Sequence, residues 1–402
     1  MVWQLIHIID VALWLFMAAS AAYVLFFALV SILWKKRVSR LTSYLTGQVL
    51  AMRKKDHFSY LILYPAYNED RVIVNSVQKF LAQYYPYSCF HVAVISDHMQ
   101  PKTNQKLSEL PITLLQPVFE KSSKAKAMQY AMDQIKEDYD YIVILDADNV
   151  VEPNFLEQLN TECAKGYKAI QCHRCAKNSN NDVAVLDGVS EEINNTIFRK
   201  AHNRIGLSSA LIGSGMCFDF QWFKENVYKL TTAGEDRELE ALLLQQKIYI
   251  QYEPNIHVFD EKVSNKDNFQ KQRLRWMTAQ IQSLFNLLPY IPKAIMTCNL
   301  DYIDKTIQQT LIPRSMLVVG TFVMSILMTI ISLIFSQLWY IKWWILFLTI
   351  CIALYIAIPH QLRKHSVFGK ILALPNLVWK MATNLIKIDR KNTDFIHTSH
   401  EK

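Results

Sequence analysis

The chain has 402 residues, enough for more than one typical domain and a large buried core. Hydrophobic residues make up 51% of it and aromatic residues 12%, high for a purely soluble protein, and the excess is concentrated in a few stretches. The formal net charge of +8 does not point to nucleic acid: the basic residues gather beside those stretches, where anionic lipid head groups attract them. No basic patch interleaved with aromatics stands out elsewhere.

Residues 8–34 form a nearly uncharged apolar run, broken only by Asp10 and long enough to cross a bilayer at roughly 20 residues per crossing. Ala18-Ala19-Ser20-Ala21-Ala22 offers small residues for signal-peptide cleavage, but no basic segment precedes it and the apolar run continues past it. A retained membrane helix over 1–36 is expected, followed by a basic linker over 37–58. Lys35, Lys36, Arg37, Arg40, Arg53, Lys54 and Lys55 place this end in the cytoplasm by the positive-inside tendency.

From 59 to 283 strands and helices alternate. Strands are expected at 60–64, 90–95, 112–115 and 141–145, with helices at 71–83 and 124–135. Such a βαβ series predicts an α/β fold with a doubly wound sheet. No G-x-G-x-x-G follows a strand, so a dinucleotide cofactor is not expected. The run Tyr141-Ile142-Val143-Ile144-Leu145 reads as a buried strand of a parallel sheet. Asp146-Ala147-Asp148-Asn149 follows directly, at the carboxyl edge where open α/β sheets bind ligands. Two hard oxygen ligands there suit Mg²⁺ or Mn²⁺ held with a substrate diphosphate. Taken alone, the tetrapeptide reads equally well as a strand followed by a polar turn.

Other candidates sit at comparable places. Tyr64-Pro65-Ala66-Tyr67-Asn68-Glu69 closes the first strand with a loop that could hold a nucleoside, and Asp97 closes the second, where it could accept a hydrogen bond from a base. Lys124 and Lys126 open a helix, a poor place for cations unless an anion is near; a solvated basic face is the plainer reading. Cys172 and Cys175 are the one close pair among seven scattered cysteines. They fall on a strand, where residues three apart point to opposite faces, so a shared zinc is not expected. Glycine is scarce, at nine residues, so Gly213 and Gly215 around Ser214, and Gly234 before Glu235-Asp236, suggest positive φ or close backbone approach. Glu235 and Asp236 open a helix, which capping alone would favour. Gln272-Arg273-Leu274-Arg275-Trp276 lies on a helix, where Arg275 could grip a diphosphate and Trp276 offer a stacking face.

Residues 284–315 carry Pro289, Pro292, Lys293 and Lys305 among apolar residues, and read as short helices lying on a membrane surface. Two further spans are expected within 316–359, at 316–335 and 338–358, with Trp339, Trp343 and Trp344 as interfacial anchors of the second. The tail, 360–402, is basic, and its amphipathic stretch 371–388 reads as interfacial rather than as a fourth crossing. Three spans with the N-terminus outside satisfy the charge at both ends.

In this order, the motifs over about 59–280 resemble the membrane-integrated family-2 inverting glycosyltransferases, the group of cellulose, chitin and hyaluronan synthases and their shorter relatives. The resemblance implies the GT-A fold, a Rossmann-like mixed sheet flanked by helices, with transmembrane helices at both ends. Pro65, Tyr67 and Glu69 then match the first nucleotide loop, Asp97 the uracil-recognising Asp, and Lys124 the lysine-led helix near the donor, although Gln129 stands where the family usually has Asn. Asp146 and Asp148 match the D-x-D motif, which implies a divalent ion on Asp148 with Asp146 nearer the nucleotide. Gly213-Ser214-Gly215 is similar to the acceptor-side loop. Gly234-Glu235-Asp236 is similar to T-E-D, with Gly in place of Thr, and implies Asp236 as the catalytic base with Glu235 at the acceptor. Gln272, Arg275 and Trp276 fit Q-x-x-R-W.

The implied activity is inverting transfer of a sugar from a nucleotide donor, most readily a UDP-sugar, to a growing polysaccharide or a lipid-linked acceptor at the cytoplasmic membrane face. Accessory export subunits are possible partners. Two alternatives remain: a polyprenyl-phosphate glycosyltransferase loading one sugar, and a non-catalytic nucleotide-binding membrane subunit.

Overall fold

The computed structural model describes residues 2–34, 55–178, 182–232, 234–262, 266–335 and 338–363. Most of the expected basic linker and the amphipathic stretch 371–388 lie outside the described residues. The chain begins with α1 (Val2–Leu33), then β1 (Tyr60–Tyr67), α2 (Ile73–Leu81), β2 (Phe90–Asp97), α3 (Pro101–Ser108), β3 (Thr113–Leu115), α4 (Lys124–Gln134) and β4 (Tyr141–Ile144). It continues through β5 (Val150–Val151), α5 (Phe155–Cys163), β6 (Ala169–Ala176), α6 (Asp182–Asn194), β7 (Met216–Asp219), α7 (Phe220–Asn226), α8 (Glu235–Gln245) and β8 (Ile250–Asp260). Then come α9 (Lys266–Leu287), α10 (Ile291–Met296), α11 (Leu300–Thr310), α12 (Arg314–Phe335), α13 (Tyr340–Ala357) and a single turn, His360–Arg363.

The eight strands make one sheet in the order β3-β2-β1-β4-β7-β6-β8-β5. The first four are parallel, as the βαβ pattern requires. β7 then runs antiparallel to both β4 and β6, so the expectation of a parallel neighbourhood for residues 141–145 holds on the β1 side only. The reason is that a continuous apolar run reports burial on both faces and says nothing about a neighbour's direction. Successive residues of β1 feed opposite cores: Tyr60, Ile62 and Tyr64 join one cluster, Leu61 and Leu63 the other. The sheet is therefore covered on both faces, and its carboxyl edge is where polar groups collect.

α6 passes into a π-helical turn, Asn195–Ala201, whose apolar face (with Val189 and Ile193) packs against Val24, Phe27 and Ala28 of α1 and Ala353 of α13. Among the described residues, three helices are long and apolar enough to cross a membrane: Gln4–Leu33, Arg314–Ile334 and Tyr340–Ala357. They match the three expected stretches to within a few residues. α1 and α13 run side by side in the same direction, since Asp10 meets Lys342 and Trp343 near their beginnings, while Ala28 and Ala353 share a cluster near their ends.

Candidate active site

The site grows from the end of β4. After Ile144 the chain turns through Asp146–Asn149, and the buried Asn149 organises that turn. Its Oδ1 accepts from Asp146 N at 3.0 Å and from the Ser214 hydroxyl, while its Nδ2 donates to Asp148 Oδ1 at 3.1 Å and Asp260 Oδ1 at 3.2 Å. Asp148 Oδ2 accepts from Glu261 N at 2.8 Å, so the end of β8 fixes the second aspartate. The two acids leave the turn in different surroundings: Asp148 is buried, and Asp146 is a third exposed at its side chain.

Gly213 and Gly215 carry φ of +81° and +63°, the left-handed region that glycine enters without strain. Gly215 N donates to Ile144 O at 2.9 Å, tying this loop to β4 immediately before the aspartates. The Gly213 carbonyl accepts from Lys124 Nζ at 2.6 Å, and the same ammonium pairs with Asp146 and lies 3.6 Å from Glu235 Oε1. A Cβ on Gly213 would stand 3.7 Å from Glu235 Oε1 and 3.8 Å from Asp236 Oδ2, so the start of α8 faces this loop directly. Gly234 has an ordinary negative φ; its reason is room, since a Cβ there would meet Ala279 Cβ of α9 at 3.2 Å.

Electrostatics follow from that geometry. Burial pushes the Glu235 carboxyl up, to about 7, with Asp236 adding to the rise and Lys124 opposing it. Burial alone would lower Lys124, but Asp146 and Glu235 outweigh it and hold the ammonium charged. The anion that Lys124 needed at the start of its helix is thus supplied by the protein's own carboxylates. Among the described residues no cluster of three His, Cys, Asp or Glu could enclose a metal unaided. Asp146, a third exposed and paired with Lys124, and Asp148, buried and accepting from Asn149 and Glu261 N, are hard oxygen donors of the kind that a divalent ion shares with a diphosphate.

The structure thus joins Lys124, Asp146, Gly213, Glu235 and Asp236 directly, and links Asp148 and Ser214 to them through Asn149. Ser214 itself is turned inward, fully buried against Asn149. Asp97 stands on the same carboxyl edge, two strands over, in register with Tyr67. It is buried, and its Oδ1 lies 2.6 Å from Nδ1 of the half-exposed His98. The Tyr67 ring lies 5.4 Å from that imidazole, while Glu69 N donates to Met99 Sδ at 3.1 Å. Pro65 continues β1 towards this corner. Gln272, Arg275 and Trp276 are half-buried on α9; Arg273 lies over the Trp276 ring at 4.3 Å. That helix reaches the site where Ala279 packs on Gly234.

Sequence reasoning missed Asn149's role and the contribution of Asp260 and Glu261. The pattern that exposed Asp146 does not reach them, because Asp260 closes a strand that mixes Gln251, Glu253, Asn255 and His257 with its apolar residues. It missed as well the buried triad in which Glu191 accepts from Arg174 at 2.9 Å and Arg199 at 3.2 Å. These arginines donate to the Ile212 and Ala210 carbonyls, bracing the approach to Gly213.

Among solved structures, a mannosyltransferase from Pyrobaculum calidifontis in complex with GDP-Man and Mn²⁺ is 13% identical with a TM-score of 0.47, covering 85% of this chain and 98% of that one. S. aureus TarS 1-349 is 12% identical with a TM-score of 0.44, over 82% and 89% of the two chains. The same TarS fragment with UDP-GlcNAc is 13% identical at 0.37, over 56% and 66%. No curated protein matches the chain. The family model described as "Glycosyl transferase family group 2" matches residues 141–357, from the strand that presents the aspartates through the last apolar helix. With more than half of its length matched, the chain belongs to glycosyl transferase family group 2 and is a glycosyltransferase.

Proposed function

We propose that the protein transfers a sugar from a UDP-sugar to a polysaccharide or lipid-linked acceptor, with inversion at the anomeric carbon, at the cytoplasmic face of a membrane. The observation that carries this reading is the Lys124 bridge: one ammonium binds Asp146 on the donor side and lies beside Glu235 on the acceptor side, next to Asp236. Residues 59–283 then form the catalytic domain. Residues 284–315 rest on the membrane, consistent with exposed Phe285, Leu288, Ile295 and Met296 around Lys293.

Inversion requires a single displacement. The acceptor hydroxyl attacks the anomeric carbon, the bond from that carbon to the diphosphate oxygen breaks, and the hydroxyl proton passes to a carboxylate. Asp236 takes that proton in this reading. Its Oδ1 is held by Arg237 N at 2.8 Å, leaving Oδ2 towards Gly213. Glu235, balanced near neutrality, hydrogen-bonds the acceptor. Asp97 receives the base imide once His98 moves aside, with Pro65, Tyr67 and Glu69 lining the nucleoside. Arg275 adds positive charge at the diphosphate, Gln272 and Trp276 line the acceptor path, and Gly213-Ser214-Gly215 sets the floor. Mg²⁺ or Mn²⁺ on Asp148, with Asp146 nearer the nucleotide, would supply charge neutralisation for the leaving diphosphate.

Replacing Asp236 by Asn should lower transfer by about 10²–10⁴-fold with UDP-sugar affinity retained, measured by calorimetry beside a radiolabel assay. Equal loss of binding and turnover would make Asp236 structural. Incubating membranes with a panel of labelled UDP-sugars and sizing the product separates polymer, which would call for an export partner, from a single-sugar lipid.

A further inference from the structure

Where the soluble domain meets the membrane helices, Arg314 carries a positive charge that forms no ion pair with a carboxylate among the described residues. Arg314 is the first residue of α12, the end of a helix least suited to a cation. Its Nη2 donates to Ser190 O at 3.1 Å and Ser190 Oγ at 3.3 Å, both neutral, and its Nη1 is buried with no hydrogen-bond partner among the described residues. Arg273 of α9 and Arg199 repel it, while the Glu191 carboxylate attracts it from beyond ion-pair distance. The nearby acids are committed elsewhere: Asp187 pairs with Arg273, and Glu191 is shared by Arg174 and Arg199. Gln272 Oε1, one residue from Arg273, is also buried without a donor. An orphaned buried guanidinium N–H beside a second guanidinium is costly, and an anion with several acceptor oxygens relieves it.

Position says which anion. Asp187 and Ser190 lie on α6, whose Val189 and Ile193 pack against Val24 and Phe27 of α1 and Ala353 and Ala357 of α13. Arg314 begins the second of the three apolar helices, which packs with the other two through Leu317 and Met328. The pair therefore stands where the apolar helices meet the soluble domain, at the depth of lipid phosphates. Planar guanidinium forks match phosphate oxygens. Along α9, Arg273 is about 9 Å from Ala279 at about 1.5 Å per residue, and Ala279 packs beside the Glu235-Asp236 end of α8.

We propose that Arg314, with Arg273, binds a lipid-borne phosphate group and holds the head group of that lipid towards the acceptor side of the active site. This deepens the lipid-linked form of the proposed function and rests on its membrane placement. The test uses the full chain in detergent, titrated with a short-chain isoprenyl monophosphate, with phosphatidylglycerol and with inorganic phosphate, read by native mass spectrometry. Lipid phosphate should bind the wild type, and Arg314→Gln should weaken it at least tenfold with UDP affinity unchanged. Preference for the isoprenyl phosphate identifies an acceptor; preference for phosphatidylglycerol identifies a bilayer lipid; both support the site. Equal binding by wild type and variant, or a response to inorganic phosphate with no lipid preference, overturns it. Because Arg314 forms no ion pair with a carboxylate among the described residues, the lipid-free variant should melt at or above the wild-type temperature, and a lower value would assign it a structural role instead. Failure of the wild type to bind any UDP-sugar would refute the proposed function while leaving this lipid measurement intact.

Discussion

Asn149 is fully buried and satisfies four polar groups at once, from Asp146 N to Asp260, so the geometry of both aspartates depends on a neutral neighbour. Glu235 shows the opposite case, a buried acid whose surroundings disfavour its charge. Its pKa rises from an ordinary 4.5 to about 7 on folding, so between those values the native state binds more protons than the unfolded chain. Stability must then fall as pH climbs from 4.5 through 7. Glu235→Gln lacks that decline, and relative to wild type it should gain roughly 3 kcal/mol between pH 4.5 and pH 8. Denaturant unfolding of both proteins across that range checks the sign, and parallel curves would show that Glu235 titrates normally. At this scale the sequence disclosed Asp146, Asp148, Glu235 and Asp236, because acids after an apolar strand or at a helix start stand out. It could not disclose that Lys124 answers to Asp146 and Glu235, partners 22 and 111 positions away, since that contact exists only once β4 and α8 converge.

The loop around Gly213 and Gly215 was legible as an element because two of only nine glycines flank one serine. Its constraint is now specific. A Cβ on Gly215 would stand 2.9 Å from Val258 Cγ2 of β8, in a backbone region that costs a side chain about 1–2 kcal/mol by itself. Gly215→Ala should therefore destabilise the protein by about 2–4 kcal/mol and displace Gly213 from Lys124, with transfer activity falling alongside. Adding Val258→Ala should return part of that loss; strictly additive effects in a thermal-melt cycle would remove the steric explanation. α11 shows how an element divides its duties: Tyr302, Lys305, Thr306 and Gln309 are buried at helical spacing, while Leu300 and Ile307 remain exposed. Buried Lys305 is answered by Glu240 at 2.5 Å. Proline and lysine in this segment suggested short amphipathic helices, but the polar character of the buried face required the partner helix α8 to be in view.

Across the molecule, α1 packs against both of the other long apolar helices and, through Val24, Phe27 and Ala28, against α6 and the π-helical turn. Asp10 near its beginning accepts from Lys342 and from Trp343 Nε1 at 2.8 Å, and Tyr23 further along donates to Asp304 at 2.8 Å. Gly320 of α12 leaves room for Met17, where a Cβ would stand 2.9 Å from its methyl carbon. Asp10→Ala leaves Lys342 without its buried partner and should cost about 3–5 kcal/mol; Asp10→Ala with Lys342→Met should recover much of it. Scanning fluorimetry of the four proteins in detergent measures the coupling, and its absence would show that the helices pair through apolar packing alone. Loss of this lock should also loosen the sheet-bearing part of the chain, because the same helix packs on the π-helical turn behind the Glu191 triad.

By itself the sequence determined the local features: three apolar stretches, the alternating strand and helix signals up to β4, the acids at the sheet edge and the glycines of one loop. These follow from side-chain periodicity, run length and backbone freedom, which are properties of short segments. Only the tertiary structure decided the antiparallel insertion of β7, the pairing of Asp97 with His98, the Lys124 bridge, and the placement of Arg314 beside Arg273. Each of these is fixed by which distant segments are packed together, and the burial that shifts Glu235 or isolates Arg314 exists only after that packing is complete.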